Sequence, residues 1–121
     1  MKNLYKYYVL FLSFSDENGD VVDTPKCVYS YAFYSYEKTC KGSYQHEKIR
    51  SHIEELEEKY RKQIFAAIVP TETVIADGRI TKRKSMEEAY YGMPSYAQAM
   101  TEKYYTPIME KIRKEYEEKE F

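Results

Sequence analysis

LYKYYVLFLSF, running from Leu4 to Phe14, constrains the fold more than any other segment of the chain. Leu4, Tyr8, Leu10, Leu12 and Phe14 recur at mostly period-two spacing, while Tyr5, Tyr7, Val9 and Phe11 occupy the opposite face. That pattern is a strand apolar on both sides, and both sides then need cover. Asp16-Glu17-Asn18-Gly19-Asp20 follows, and its Asn-Gly tolerates the positive φ angles of a type I′ turn, so a hairpin is expected. The returning segment extends from Val21 to Glu37. Pro25 lacks an amide donor and marks an irregular or edge stretch ahead of a better strand, Cys27 to Tyr36. There Tyr29, Tyr31 and Phe33 oppose Val28, Ala32, Tyr34 and Tyr36, a tyrosine ladder on both faces.

Working outward, Lys41-Gly42-Ser43 breaks the strand. Ser43 with Glu47 behind it begins a helix whose apolar positions Ile49, Ile53, Leu56, Tyr60 and Ile64 step by three and four. Glu54, Glu55, Glu57, Glu58, Lys59, Arg61 and Lys62 form its solvated side. Phe65 to Val69 is a short continuous apolar run ended by Pro70, expected as a buried strand. Thr73 to Ala76, Asp77-Gly78 and Arg79 to Thr81 spell a second hairpin. Ser85-Met86-Glu87-Glu88 matches a capping box and predicts a short helix that Gly92 ends. Pro94 opens the next helix, with Tyr96, Met100 and Tyr104 inward; Pro107 predicts that it restarts or kinks before Ile108, Ile112 and Tyr116. The expected order is β-β-α-β-β-α-α, an α+β fold with a small antiparallel or mixed sheet and helices packed on it. Residues 1–121 read as one domain.

Composition narrows the function classes. A net charge of −1 with 32% charged residues is neither a polycationic nucleic-acid clamp nor an acidic mimic, so any electrostatic recognition is local. Fifteen tyrosines stand against five phenylalanines and no tryptophan. Tyrosine joins a large ring to one polar end, which suits protein contact patches and base-stacking platforms. The plainer reading is that it replaces phenylalanine in strands, where it is equally favoured. Lys2, Lys6 and the run Tyr7 to Leu12 resemble a signal peptide only superficially, because the apolar run is short. No segment approaches the length of a membrane span. Cys27 and Cys40 sit at opposite ends of one predicted strand, roughly 40 Å apart at ~3.3 Å per residue, and lack CxxC spacing. Two such thiols suit a reducing, cytoplasmic compartment.

Chemistry-bearing motifs are missing from the sequence. His46 and His52 lie about 120° apart on a helix and do not face one ion; adding Cys40 still leaves a zinc site short of ligands. Asp16, Asn18 and Asp20 imitate a calcium loop, but glycine falls at its fourth position and Cys27 at its twelfth. No GxSxG, glycine-rich phosphate loop, HExxH or Ser/His/Asp set is present. No catalytic residue, metal ligand or cofactor is therefore assigned, and a non-enzyme is expected.

Charge asymmetry is the sharpest local feature. Residues 63–85 carry a net +2 through Arg79, Lys82, Arg83 and Lys84, and residues 86–121 sum to −3. The cations run into a predicted helix start at Ser85, where an anion is favoured, and Tyr90, Tyr91 and Tyr96 follow as stacking faces. Two expectations compete. One is a non-catalytic protein-binding module, of the kind a phage or mobile element uses to inhibit a host enzyme, docking through tyrosines such as Tyr29, Tyr31, Tyr34 and Tyr36. The other is a binder of a nucleotide or single-stranded nucleic acid that uses Arg79, Lys82, Arg83, Lys84, Ser85, Tyr90, Tyr91 and Tyr96. A homodimer covering the tyrosine ladder or an edge strand is compatible with either.

Overall fold

Because Leu4–Ser15 (β1) is apolar on both faces, it can sit only in the interior of a sheet covered on both sides. A computed structural model describes residues 3–37, 46–82, 89–91 and 93–120, with the side chains of 23, 24, 72, 82, 105, 106, 108, 113 and 115–120 left aside. Among the described residues the order is β1, β2 (Val21–Ser35), α1 (His46–Tyr60), β3 (Phe65–Ala76), β4 (Arg79–Lys82), β5 (Ala89–Tyr91) and α2 (Ser95–Glu120). The sheet is antiparallel with order β2-β1-β3-β4, and β5 also pairs with β3. The fold is α+β.

Alternation along β1 divides the core in two. Tyr8, Leu10, Leu12 and Phe14 join Phe65, Ala67 and Val69 of β3 beneath Ala97, Met109 and Ile112 of α2. Tyr7, Val9 and Phe11 join Tyr31, Ala66 and Ile68 beneath Ile49 and Leu56 of α1. Each helix therefore covers one face of the same strands, and full burial of each large apolar side chain contributes roughly 1.5–3 kcal/mol.

Both turns follow local chemistry. Asp77 and Gly78 take φ values of 52° and 74°, as a two-residue type I′ hairpin requires. The first hairpin differs from the Asn-Gly expectation, since only Gly19 is left-handed, at φ 83°. Here Gly19 N–H donates to the Asp16 carbonyl, and Asp16 Oδ1 accepts from the amides of Asn18 and Asp20 at 2.9 Å each. The aspartate thereby organises a longer turn.

Four other expectations are corrected. The strand beginning at Phe65 does not end at Pro70 but continues to Ala76. Register with β1 slips between Tyr7↔Pro70 and Tyr5↔Val74, so the proline lies at a bulge. Thr71 Oγ1 donates to the Lys6 carbonyl at 3.1 Å and accepts from Thr73 N–H at 3.1 Å, satisfying backbone groups that the bulge removes from the ladder. Residues 89–91 are strand rather than helix, because pairing with Ala66 to Ile68 sends Tyr90 to the α2 core and Tyr91 to the α1 core. The capping box at 85–88 and Gly92 lie outside the described residues. Helix α1 ends at Tyr60, which is exposed, and Arg61 takes a left-handed φ of 55°, so Ile64 reaches the core from beyond the helix. Its proposed start at Ser43 falls outside the described residues.

The last correction concerns Pro107. The helix does not restart there; α2 runs through it for 26 residues. Ala97 and Thr101 before the proline, and Met109 and Ile112 after it, are all buried, while Pro107 itself is exposed. Anchors on both sides hold one helix against the missing hydrogen bond. Pro107→Ala is expected to stabilise the protein by about 2 kcal/mol, the helix-interior penalty of proline less its unfolded-state benefit. A rise in the urea midpoint at unchanged slope checks this; an unaltered midpoint contradicts it.

Candidate functional site

The edge strand β2 gathers the exposed tyrosines. Its register with β1 is continuous from Tyr5↔Ser35 to Phe11↔Tyr29, then slips so that Leu12 pairs with Cys27. The extra residue reverses the alternation. Beyond the bulge Tyr29, Tyr31 and Phe33 stand on the α1 face, whereas Cys27 and Ala32 pack against the α2 core.

On the α1 face the rings form a continuous group. Phe33 stacks on Tyr7 with centroids 5.2 Å apart, and the Tyr7 hydroxyl donates to the Glu37 carbonyl, which ties down the end of the strand. His52 of α1 lies 5.4, 5.1 and 5.3 Å from the rings of Phe11, Tyr29 and Tyr31. One turn earlier, Lys48 Nζ sits 4.4 Å from the centre of the Tyr31 ring, a cation–π contact. The sequence pattern excluded His52 only as a partner of His46 in holding one ion and assigned it no contact. Its place beside Ile49, Ile53 and Leu56 on the inward arc of the helix was the available signal.

Exposure differs sharply among the four ladder tyrosines. Tyr29, Tyr34 and Tyr36 are 41%, 48% and 63% exposed, whereas Tyr31 is only 8% exposed. Tyr34 occupies the other face, with Lys6 Nζ 5.9 Å from its ring centre. Tyr31 is thus part of the wall, and the other three present the surface.

The phenol of Tyr31 is the buried side-chain polar group without a hydrogen-bond partner among the described residues. Loss of hydration, with the nearby Tyr29 phenol adding to it, pushes its pKa up from 10.0 to about 12. The unfolded chain releases this proton first, so the contribution of Tyr31 is constant below pH 10 and declines as pH rises from 10 towards 12. Tyr31→Phe is expected to leave stability unchanged or to raise it by about 1 kcal/mol near neutrality, because it removes an unsatisfied buried hydroxyl. It should also flatten the loss of stability between pH 10 and 12 in denaturant titrations. Equal pH slopes in the two proteins contradict the assignment.

The basic segment is arranged differently. Arg79 is exposed just after the β3–β4 turn, beside Ile80, which is 79% exposed. Lys82 closes β4, and Arg83, Lys84 and Ser85 lie outside the described residues. Tyr90 and Tyr91 are half-buried on opposite faces, Tyr91 with His46 at 5.9 Å. Arg79 pairs with Ala76 and Tyr90 with Ala67, so at ~3.3 Å per residue the two lie roughly 25–30 Å apart along β3. Tyr96 is exposed on the first turn of α2. The structure therefore does not bring Arg79 to the rings of Tyr90 and Tyr91.

His46 and His52 serve opposite flanks of α1, and among the described residues no three His, Cys, Asp or Glu side chains are grouped to hold a metal ion. Among the same residues no helix is long and apolar enough to cross a membrane. No family model matches the chain, and no curated protein or solved structure matches it.

Proposed function

We propose that this protein is a non-catalytic protein-binding module, an inhibitor or adaptor that docks through the β2 edge with Tyr29, Tyr34 and Tyr36 as anchors. The observation that carries the reading is their placement: exposed Tyr29 and Tyr34 lie on an edge strand of fifteen residues and exposed Tyr36 immediately follows it, on the edge of the sheet opposite Arg79. An edge strand offers main-chain donors and acceptors, and side chains on its two faces supply specificity. Tyrosine adds large contact area at low entropic cost with a hydroxyl for the rim. The nucleotide or nucleic-acid reading draws less support, because Tyr90 and Tyr91 each pack against a core and Arg79 lies far from both along β3.

The test is affinity capture by the intact protein, followed by titration of the captured protein. Replacing Tyr29, Tyr34 and Tyr36 together by Lys should weaken that complex tenfold or more, since truncating a tyrosine anchor typically costs about 2 kcal/mol. Arg79→Glu with Lys82→Glu should leave it within about twofold, as expected of charges outside the contact. Undiminished binding by the triple-lysine variant sinks the reading. A steeply salt-dependent complex with a fluorescent single-stranded oligonucleotide, abolished by Lys82→Glu, Arg83→Glu and Lys84→Glu together, supports the competing one.

A further inference from the structure

Edge strands normally carry a device against pairing with another chain: a charge, a proline, a bulge or a short length. The first half of β2 has three of these, in Lys26, Pro25 and the irregular register with β1 near Cys27. The second half, Tyr29-Ser30-Tyr31-Ala32-Phe33-Tyr34-Ser35, has none. It contains no charge, no proline and no glycine, and its seven residues run in unbroken register with Tyr5 to Phe11. Among the described residues no strand pairs with its outer side.

The order of side chains within this segment is self-complementary. Laid antiparallel on a second copy about a two-fold axis at Ala32, Tyr31 meets Phe33, Ser30 meets Tyr34 and Tyr29 meets Ser35. Each exposed tyrosine faces a serine, the two small alanines meet at the axis, and the paired rings extend the aromatic group of the α1 face. The charges at the ends agree. The extra residue of the bulge advances the strand by one, so that Lys26 of one copy comes level with Glu37 of the other, and symmetry repeats this at the far end. A parallel arrangement would instead set Lys26 against Lys26.

We infer that β2 pairs with β2 of a second copy, antiparallel and centred on Ala32, to give a two-fold dimer with one continuous sheet. The inference rests on the reading of β2 as the docking edge and names a second copy as its occupant. A foreign protein then binds this edge in competition with self-pairing.

The test combines mass and register. In light scattering after gel filtration, the wild-type chain should show twice its 14.5 kDa, and Tyr29→Lys with Tyr34→Lys should return it to one chain mass. Circular dichroism and a thermal melt establish that the variant is folded. In a Cys27→Ser, Cys40→Ser background, Ala32→Cys should form a disulfide between copies on mild oxidation, because the two side chains meet at the axis. Tyr36→Cys should not, lying several residues from its counterpart. A monomeric wild type overturns the inference, as does a dimer indifferent to the two lysines or one linked through Tyr36→Cys but not Ala32→Cys. A monomer whose captured protein is still lost on lysine substitution overturns self-pairing alone and leaves the docking reading standing.

Discussion

Everything in this fold depends on the double-sided burial of β1. Tyr7, Val9 and Phe11 on one face and Tyr8, Leu10, Leu12 and Phe14 on the other are all buried. A strand with both faces apolar cannot border solvent on either, so the chain must deliver a helix to each side. It does so in two stages: α1 closes the first face after the β1–β2 hairpin, and α2 closes the second after the remaining strands. The half-buried Tyr90 and Tyr91 are drawn into the same scheme. A three-residue strand at the edge of β3 places one ring in each core.

Interior demand also accounts for the local exceptions. Pro70 lies within a strand and Pro107 within a helix, positions that propensity disfavours. At Pro70 a bulge and the Thr71 hydroxyl satisfy the backbone. At Pro107 the buried residues on both sides of it outweigh the lost bond. In both cases the neighbouring apolar positions decide the course of the chain.

The same bulge that turns Tyr29 onto the α1 face makes β2 an asymmetric edge. Its first half is irregular and guarded, while its second half is regular and uncharged. Tyr31 sits beneath Lys48 and His52 as part of the wall, and Tyr29, Tyr34 and Tyr36 are left outward. The proposed function and the proposed dimer both stem from this asymmetry.

Periodicity and turn chemistry identified β1, the inward stripe of α1 at Ile49 and Leu56, the Asp77-Gly78 hairpin and the α+β class, because each depends on alternation or turn residues within a short stretch of chain. The tyrosines of β2 were also legible as candidates, but not which of them is buried, since that depends on the bulge and on where α1 lies. The strand at 89–91 was hidden behind a capping-box pattern, and the passage of α2 through Pro107 behind a helix-breaking residue. Local signals rank conformations by energies of about 1 kcal/mol per residue, and shared burial across several residues exceeds that. Local composition and spacing therefore sufficed to mark which segments are apolar, how they alternate and where the tight turns fall. Which edge carries the exposed tyrosines, and how far they lie from Arg79, emerged with the assembled sheet, because strand order and register are set by contacts between residues distant in the chain.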